Sequence, residues 1–115
     1  MSGCVFCRIV GGELAARKVF EDEWVLAFHD IEPLAPIHIL VIPRVHISSM
    51  ASLTSEHEAV MGRLMVVAGR IAREQGCNDG FRVIVNTGRV GLQEVYHLHV
   101  HILGGPQPLP PMLKR

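Results

Sequence analysis

The sequence has no long hydrophobic run and no leader pattern. Its longest apolar stretches, such as Ile37 to Ile42, are much shorter than the roughly 20 residues that a membrane-spanning helix needs. The first residues, Met1 to Cys4, show no basic region followed by an apolar segment and a cleavage site. We therefore expect no contact with a membrane and a cytoplasmic location.

The sequence also has no excess of charge of either sign. It carries 11 Lys and Arg and 11 Asp and Glu, interspersed along the chain, for a formal net charge of zero at pH 7. A broad basic surface for a nucleic-acid backbone is therefore not expected. A small anionic ligand is compatible with this composition.

The sequence contains only three cysteines, and this odd number argues against a disulfide framework. In a reducing compartment the CxxC pair Cys4 and Cys7 is typical of a metal or redox site. Cys77 is expected to be a small buried side chain.

The chain does contain enough apolar material for one core. With 115 residues, of which 49% are hydrophobic and 19% charged, it fits a single domain over residues 1–115. No internal repeat is present, and the proline-rich segment 106–115 is expected to be an extended C-terminal tail.

The first half of the chain predicts a short helix at the CxxC segment, then a hairpin and a central strand. The runs Lys18–Glu21 and Trp24–Phe28, separated by acidic turn residues, are typical of a hairpin. Segment 30–36 holds two prolines and is expected to be a stiff irregular loop, a good position for ligand contacts. The β-branched run Ile37–Ile42 ends at a proline and predicts a central strand that carries His38.

The second half predicts a long helix and two more strands. From Ser55 to Gln75 apolar residues recur at helical spacing, and Ser55 and Glu58 are expected to form a capping box. Strands are predicted at Phe81–Asn86 and Val95–Leu103, joined by a glycine-bearing loop. This order predicts an α+β fold, a five-stranded and mostly antiparallel sheet with the long helix on one face.

Three histidines alternate along the last predicted strand. Because strand side chains alternate between faces, His97, His99 and His101 share one face. Successive histidines stand roughly 6.5–7 Å apart, so all three can surround one phosphate-sized group. Imidazole attacks as a nucleophile when neutral and stabilises negative charge when protonated, which suits phosphoryl chemistry. A lone strand histidine usually bonds a backbone carbonyl, but three in alternation favour a functional site.

The run from His97 to Leu103, in which histidines alternate with apolar residues, resembles the motif of the histidine triad (HIT) superfamily. The resemblance extends over nearly the whole chain and is strongest to the Hint branch. The similar segments are 25–31, 36–43, 86, 93–96 and 104–105. It implies a HIT-like fold and a purine nucleoside phosphoramidase of bacterial type.

The resemblance also implies a role for each histidine. His99 would attack an α-phosphorus to form a covalent nucleotidyl-histidine, and His101 would contact the phosphate and assist the leaving group. His97 would orient His99, and His38 on the central strand completes the catalytic set. Water would then release AMP or GMP. A covalent intermediate splits a difficult displacement into two easier ones, and a cationic imidazole stabilises developing phosphoryl charge.

A nucleotide site is implied around the triad. Asp30 would accept hydrogen bonds from the ribose hydroxyls, although it is also typical of a turn before a proline loop. Asn86 would lie near the phosphate. His29 would line the base pocket, although a solvated surface position explains it too. The other residues of the implied site are Phe28 and Ile31 at the base, and Gln93, Glu94 and Val95 before the triad.

The chain departs from the family pattern at two positions. Leu92 stands where the family has the second glycine of Gly-Gly-Gln, so a backbone that approaches the phosphate carries a side chain. Glu94 stands where many eukaryotic relatives have serine, and it is not assigned to catalysis. Leu92 therefore leaves the geometry of the phosphate loop open.

The CxxC pair supplies half of a tetrahedral zinc site. Some bacterial members of the family complete such a site with two histidines, and the corresponding residues here are Cys4, Cys7, His46 and His97. Two cysteines at this spacing can also be packed thiols. A zinc ion held by all four residues would be structural and would fix the ring of His97. No organic cofactor is expected.

The resemblance thus implies a homodimeric hydrolase that cleaves the P–N bond of purine nucleoside phosphoramidates. Dimers of this branch send each C-terminal tail towards the partner's site. Two alternatives stay open. Hydrolysis of dinucleoside polyphosphates is one, although Gly104 and Gly105 argue against it. A catalytically weak nucleotide-binding or interaction module is the other, and Leu92 favours it.

Overall fold

An antiparallel sheet forms the centre of the fold. A computed structural model describes residues 3–112, and within that range it contains five strands in the order β1-β2-β3-β5-β4, with every neighbouring pair antiparallel. The strands are β1 (Lys18–Glu21), β2 (Val25–His29), β3 (Ile37–Pro43), β4 (Arg82–Ile84) and β5 (Val100–Gly104), and the helices are α1 (Val5–Val10) and α2 (Glu58–Glu74). The predicted α+β fold is confirmed. Residues 1–2, and 113–115 of the predicted tail, lie outside the described residues.

Helix α2 packs on one face of the sheet through side chains three or four positions apart. This stripe consists of Val60, Leu64, Val67, Ala68, Ile71 and Ala72. It meets apolar residues of β2, β3 and β5 in one buried cluster, in which each fully buried Val, Leu or Ile contributes roughly 1.5–3 kcal/mol. Neither helix in residues 3–112 is long and apolar enough to cross a bilayer. His38 and His101 lie on the opposite face, the face that also carries Leu40.

The start of the long helix differs from the prediction. A 3-10 turn, Ser55–His57, leads into α2, and its N-cap is Thr54. His57 Nδ1 accepts the Thr54 amide at 3.0 Å, which closes a capping box. The predicted pairing of Ser55 with Glu58 was wrong by one residue, because Thr54 offers the same hydroxyl and His57 supplies the returning acceptor.

The other face of the sheet is divided between α1 and the histidines. Phe6 and Ile9 of α1 pack on Leu26, Phe28, Leu40 and Ile42. The helix is only six residues long, and the Cys4 sulfur accepts the Cys7 amide at 3.3 Å at its start. The histidines lie beside this apolar cluster.

The triad segment is strand only in its second half. β5 begins at Val100, so the predicted strand over Val95–Leu103 was too long, and β4 is likewise shorter than Phe81–Asn86. The chain bends at His97, and Leu98 N donates to Ile47 O at 2.7 Å instead of to a sheet neighbour. The predicted alternation nevertheless holds, since Leu98, Val100 and Ile102 all enter the core under α2.

Packing accounts for the two glycines that follow the triad. A Cβ at Gly104 would lie 2.5 Å from Cys77 Sγ, and one at Gly105 would lie 3.0 Å from a ring carbon of Pro36. Cys77 is buried, as predicted, and burial raises the pKa of its thiol. The end of β5 therefore fits closely against both the segment after α2 and the loop before β3.

The loop before the triad remains a closed turn despite Leu92. This residue has a φ of +61°, in the left-handed region that glycine adopts freely. Its amide donates to Arg89 O at 3.1 Å, and its side chain is 78% exposed. The leucine is therefore accommodated by a glycine-like backbone, with the side chain in solvent.

Gln93 holds this loop from within. Its side chain is buried, accepts the Gly88 amide at 2.9 Å and donates to Ser48 O and Val95 O at 2.8 and 3.0 Å. Gly91 is needed for space, since a Cβ there would lie 2.5 Å from Thr87 O. The three hydrogen bonds of the Gln93 side chain therefore fix the conformation of this loop.

Substitutions at positions 91 and 92 are expected to have opposite effects on stability. Leu92→Gly should leave the free energy of unfolding unchanged or raise it by up to about 1 kcal/mol, because the left-handed backbone costs a leucine roughly 1–2 kcal/mol and glycine's freedom when unfolded offsets part of that. Gly91→Ala should lower it by about 1–3 kcal/mol through the clash with Thr87. Urea denaturation measures both. A marked loss in Leu92→Gly, or none in Gly91→Ala, would contradict this loop geometry.

Candidate active site

His97 is completely buried beneath the start of the triad segment. Its Nε2 lies 2.8 Å from Pro43 O, and because a carbonyl can only accept, Nε2 carries a proton; in the neutral ring Nδ1 then carries the lone pair. Burial lowers the pKa of His97, although the bond to Pro43 opposes the shift. This ring is therefore a neutral group of defined tautomer.

His99 takes its orientation from the backbone of His97. His99 Nδ1 lies 2.8 Å from His97 O, so Nδ1–H donates, and in the neutral ring Nε2 carries the lone pair. The ring of Phe6 packs edge-on against it, with centroids 5.2 Å apart. The free lone pair on Nε2 is the arrangement that a nucleophilic imidazole requires.

His101 is joined to His38 of β3. Leu34 N donates to His38 Nδ1 at 3.0 Å, so Nδ1 bears no proton and His38 Nε2 does. That Nε2–H donates to His101 Nδ1 at 2.9 Å, which leaves the proton of His101 on its own Nε2. Among the described residues, this buried Nε2 has no hydrogen-bond partner. A buried donor without a partner suits a ligand acceptor.

Both rings of this pair are neutral in the free protein. Burial, with smaller contributions from His99 and His38, lowers the pKa of His101 to about 4, and Asp30 opposes the shift. Burial likewise lowers the pKa of His38. The cationic imidazole expected from the sequence is therefore not the resting state. An anionic phosphate beside His101 would raise its pKa.

Asp30 occupies the turn that leads to the proline loop. Its Oδ1 accepts Glu32 N at 2.8 Å, and its own amide donates to His38 O at 3.0 Å. Its Oδ2 lies 3.4 Å from His38 Nε2. The residue is thus a turn residue whose second carboxylate oxygen faces the His38–His101 pair.

The other residues named for the nucleotide differ in position. Phe28 is buried against Phe6, His29 is half-buried at the end of β2, and Ile31 is 94% exposed. Burial and the nearby Arg17 lower the pKa of His29. Of these three side chains, that of Ile31 is therefore the most exposed to solvent.

The remaining residues named for the nucleotide, Asn86, Glu94 and Val95, also differ in position. Ile84 pairs with His101, and this register carried two residues further would set Asn86 opposite His99. Glu94 is exposed, whereas Val95 packs against the apolar cluster under α1. Asn86 is half-buried and lies two residues beyond the end of β4, the strand that pairs with β5.

Sequence reasoning missed Phe6. Its ring contacts those of Phe28, His97 and His99, with centroids 5.5, 5.9 and 5.2 Å away. The available signal was its position inside the CxxC segment, on the short helix whose cysteines were expected to meet His97. Phe6 forms the apolar wall between this helix and the triad.

The four predicted metal ligands, His97 among them, lie close together. Cys4 Sγ and Cys7 Sγ lie 3.3 and 3.5 Å from His97 Nδ1, and Cys7 Sγ lies 3.3 Å from His46 Nδ1. All four ligand atoms lie within 4.8 Å of one another. A tetrahedral zinc ion with ordinary Zn–S and Zn–N bonds would set sulfur and nitrogen about 3.6 Å apart. The donor set and spacing therefore fit a metal ion.

Comparisons with known proteins agree with this geometry. A family model described as the HIT domain matches residues 11–107. Purine nucleoside phosphoramidase of Escherichia coli (strain K12) is 47% identical over 110 residues, covering 95% of this chain and 92% of that protein. The structure of a histidine triad protein from Clostridium difficile matches with a TM-score of 0.92 at 45% identity, covering 98% of both chains. A HIT family hydrolase from Legionella pneumophila Philadelphia 1 matches with a TM-score of 0.88 at 40% identity, covering 91% and 95%. The chain therefore belongs to the HIT domain family, and it is a HIT-family hydrolase.

Proposed function

We propose that this hydrolase cleaves the P–N bond of purine nucleoside phosphoramidates and releases AMP or GMP. The name of the Escherichia coli relative supports this substrate class, at 47% identity. The observation that carries the proposal is the complementary protonation of two neighbouring rings. His99 keeps a lone pair on Nε2, His101 keeps a proton on Nε2, and their centroids are 5.0 Å apart.

The reaction follows from these two nitrogens. His99 Nε2 attacks the α-phosphorus, the P–N bond breaks, and its electron pair leaves on the amine nitrogen. The amine needs one proton, which the His101–His38 pair takes up as the anionic phosphate binds and delivers through His101 Nε2. Water then attacks the nucleotidyl-histidine, and the proton it loses returns to solvent. Two easier steps thus replace one difficult displacement.

The remaining residues would position the nucleotide. We assign the ribose hydroxyls to Asp30 and the phosphate to Asn86, which follows β4, the strand that pairs with β5. Phe28, His29 and Ile31 would surround the base. Gln93, Glu94 and Val95 would contribute through the loop that they hold in place. His97 would orient His99 through the backbone bond already described.

Replacement of the nucleophile tests this function. His99→Asn should lower turnover of an adenosine phosphoramidate by at least about a thousandfold, because covalent catalysis is lost, while AMP still binds. Quenched assays measure turnover, and calorimetry measures the binding of AMP. His57→Asn is a matched control, since His57 lies at the cap of α2.

The outcome also separates the alternatives. Unchanged turnover in His99→Asn would remove this residue as nucleophile. Faster cleavage of dinucleoside polyphosphates than of phosphoramidates by the wild-type chain would favour the second hydrolase function. AMP binding with no hydrolysis of either substrate would favour a binding module, although the outward-facing Leu92 has weakened that case.

We further propose that Cys4, Cys7, His46 and His97 hold a structural zinc ion. The Pro43 carbonyl supports this proposal because it orients the His97 ring. It accepts Nε2–H, and the other ring nitrogen, Nδ1, then faces the sulfurs of Cys4 and Cys7. Zinc here would supply no open coordination position and would tie α1 to the triad segment. Thiolate ligands persist in a reducing compartment, which fits the cytoplasmic location we propose.

Metal analysis tests the zinc site. The purified chain should contain one zinc per protomer, and Cys7→Ser should lose it and unfold at a lower temperature, because metal binding contributes to folding. Cys77→Ser is not a ligand variant and should keep the metal. A metal-free wild-type chain that resists unfolding as well as the zinc-loaded chain would contradict this role.

The protein is also proposed to be a homodimer. Strand β4 lies at the edge of the sheet, and no strand in residues 3–112 pairs with its outer side. Helix α2 exposes Met65 and Val66, at 50% and 68%. Light scattering should give a dimer mass for the wild-type chain and a monomer mass for Val66→Glu, because a charge at an apolar interface is costly. A monomeric wild-type chain would refute the proposal.

A further inference from the structure

The proton on His38 has two acceptors within reach. His38 Nε2 lies 2.9 Å from His101 Nδ1 and 3.4 Å from Asp30 Oδ2. The two ring centroids are 5.2 Å apart, so the nitrogens lie almost on the line between the rings, as in a direct hydrogen bond. The carboxylate stands to one side of that bond.

The proline loop fixes which nitrogen of His38 bears this proton. Leu34 N donates to His38 Nδ1 at 3.0 Å, and an amide has no lone pair with which to accept in return. Moving the His38 proton to Nδ1 would break this bond and set two hydrogens against each other. His38 therefore remains a donor from Nε2.

This arrangement raises a difficulty when His101 takes up a second proton. A cationic His101 bears hydrogens on both nitrogens, so its Nδ1–H would point at His38 Nε2–H. The hydrogen on His38 must then turn to another acceptor, and Asp30 Oδ2 is the carboxylate oxygen beside it. The other oxygen of Asp30 is already held by Glu32 N, which keeps the carboxylate in this orientation.

We propose that Asp30 is a positioning residue for proton transfer: it accepts His38 Nε2–H when His101 becomes protonated on substrate binding. The titratable groups that face His101 are Asp30 from the loop, His38 from β3 and His99 from the triad segment. Of these, only Asp30 supplies negative charge. The inference rests on the proposed phosphoramidase function, and it gives Asp30 a role in the chemical step besides ribose binding.

Kinetics with two substrates separate the two roles. Asp30→Asn should lower kcat roughly 10- to 100-fold, because part of the acid catalysis is lost. The loss should be equal for an adenosine phosphoramidate and for its 2′,3′-dideoxy analogue, which has no ribose hydroxyl to bind. Asp30→Glu should restore part of kcat, and Asp79→Asn, an exposed aspartate before β4, is the matched control. A loss that appears only in KM and only with the ribose substrate, or no loss at all, would overturn the proposal.

A second measurement does not depend on the stability of a variant or on turnover. In the wild-type chain, ¹⁵N NMR of the histidine rings should show one proton on His101 without ligand and two with AMP bound. His38 should keep its proton on Nε2 in both states. A proton on His38 Nδ1 in either state, or a singly protonated His101 with AMP, would overturn the proposal. If the chain binds AMP but cleaves no phosphoramidate, the proposed function fails while this test of the protonation of His38 and His101 still stands.

Discussion

His97 is held by its ring and by its backbone at the same time, and the geometry of the site depends on that. The ring donates to the end of β3 at Pro43 and turns its other nitrogen to the two sulfurs of the α1 segment. The carbonyl of the same residue accepts from His99 Nδ1–H and so directs the tautomer of the proposed nucleophile. A completely buried residue thereby connects a strand, a helix and His99 through its ring and its carbonyl.

The residue types of the site could be predicted because they follow simple periods. His97, His99 and His101 alternate with apolar residues, which predicts that the histidines and the apolar residues lie on opposite faces. The structure keeps this arrangement although the regular strand begins only at Val100. The stripe of α2 and the spacing of Cys4 and Cys7 are equally local patterns. Placing His46 beside the cysteines relied on the family resemblance, since no local period connects positions so distant in the chain.

Features set by hydrogen bonds between distant segments could not be predicted in this way. The protonation of His38 depends on a loop amide at Leu34, and the second contact of Asp30 depends on how that loop closes over β3. Phe6 carried no polar signal, because its role is to pack against other rings. Leu92 suggested a damaged loop, but a left-handed backbone lets its side chain face solvent.

The proposed reaction depends on the covalent attachment of His99 Nε2 to the nucleotide. Single-turnover mixing with an adenosine phosphoramidate, quenched in alkaline denaturant because a phosphorus–imidazole bond is acid-labile, followed by intact-mass measurement and peptide mapping, tests it most directly. We expect a transient adenylyl group on the peptide that contains His99, formed before AMP appears and absent in His99→Asn. AMP formation with no adduct at any time, or an adduct on another residue, would contradict it.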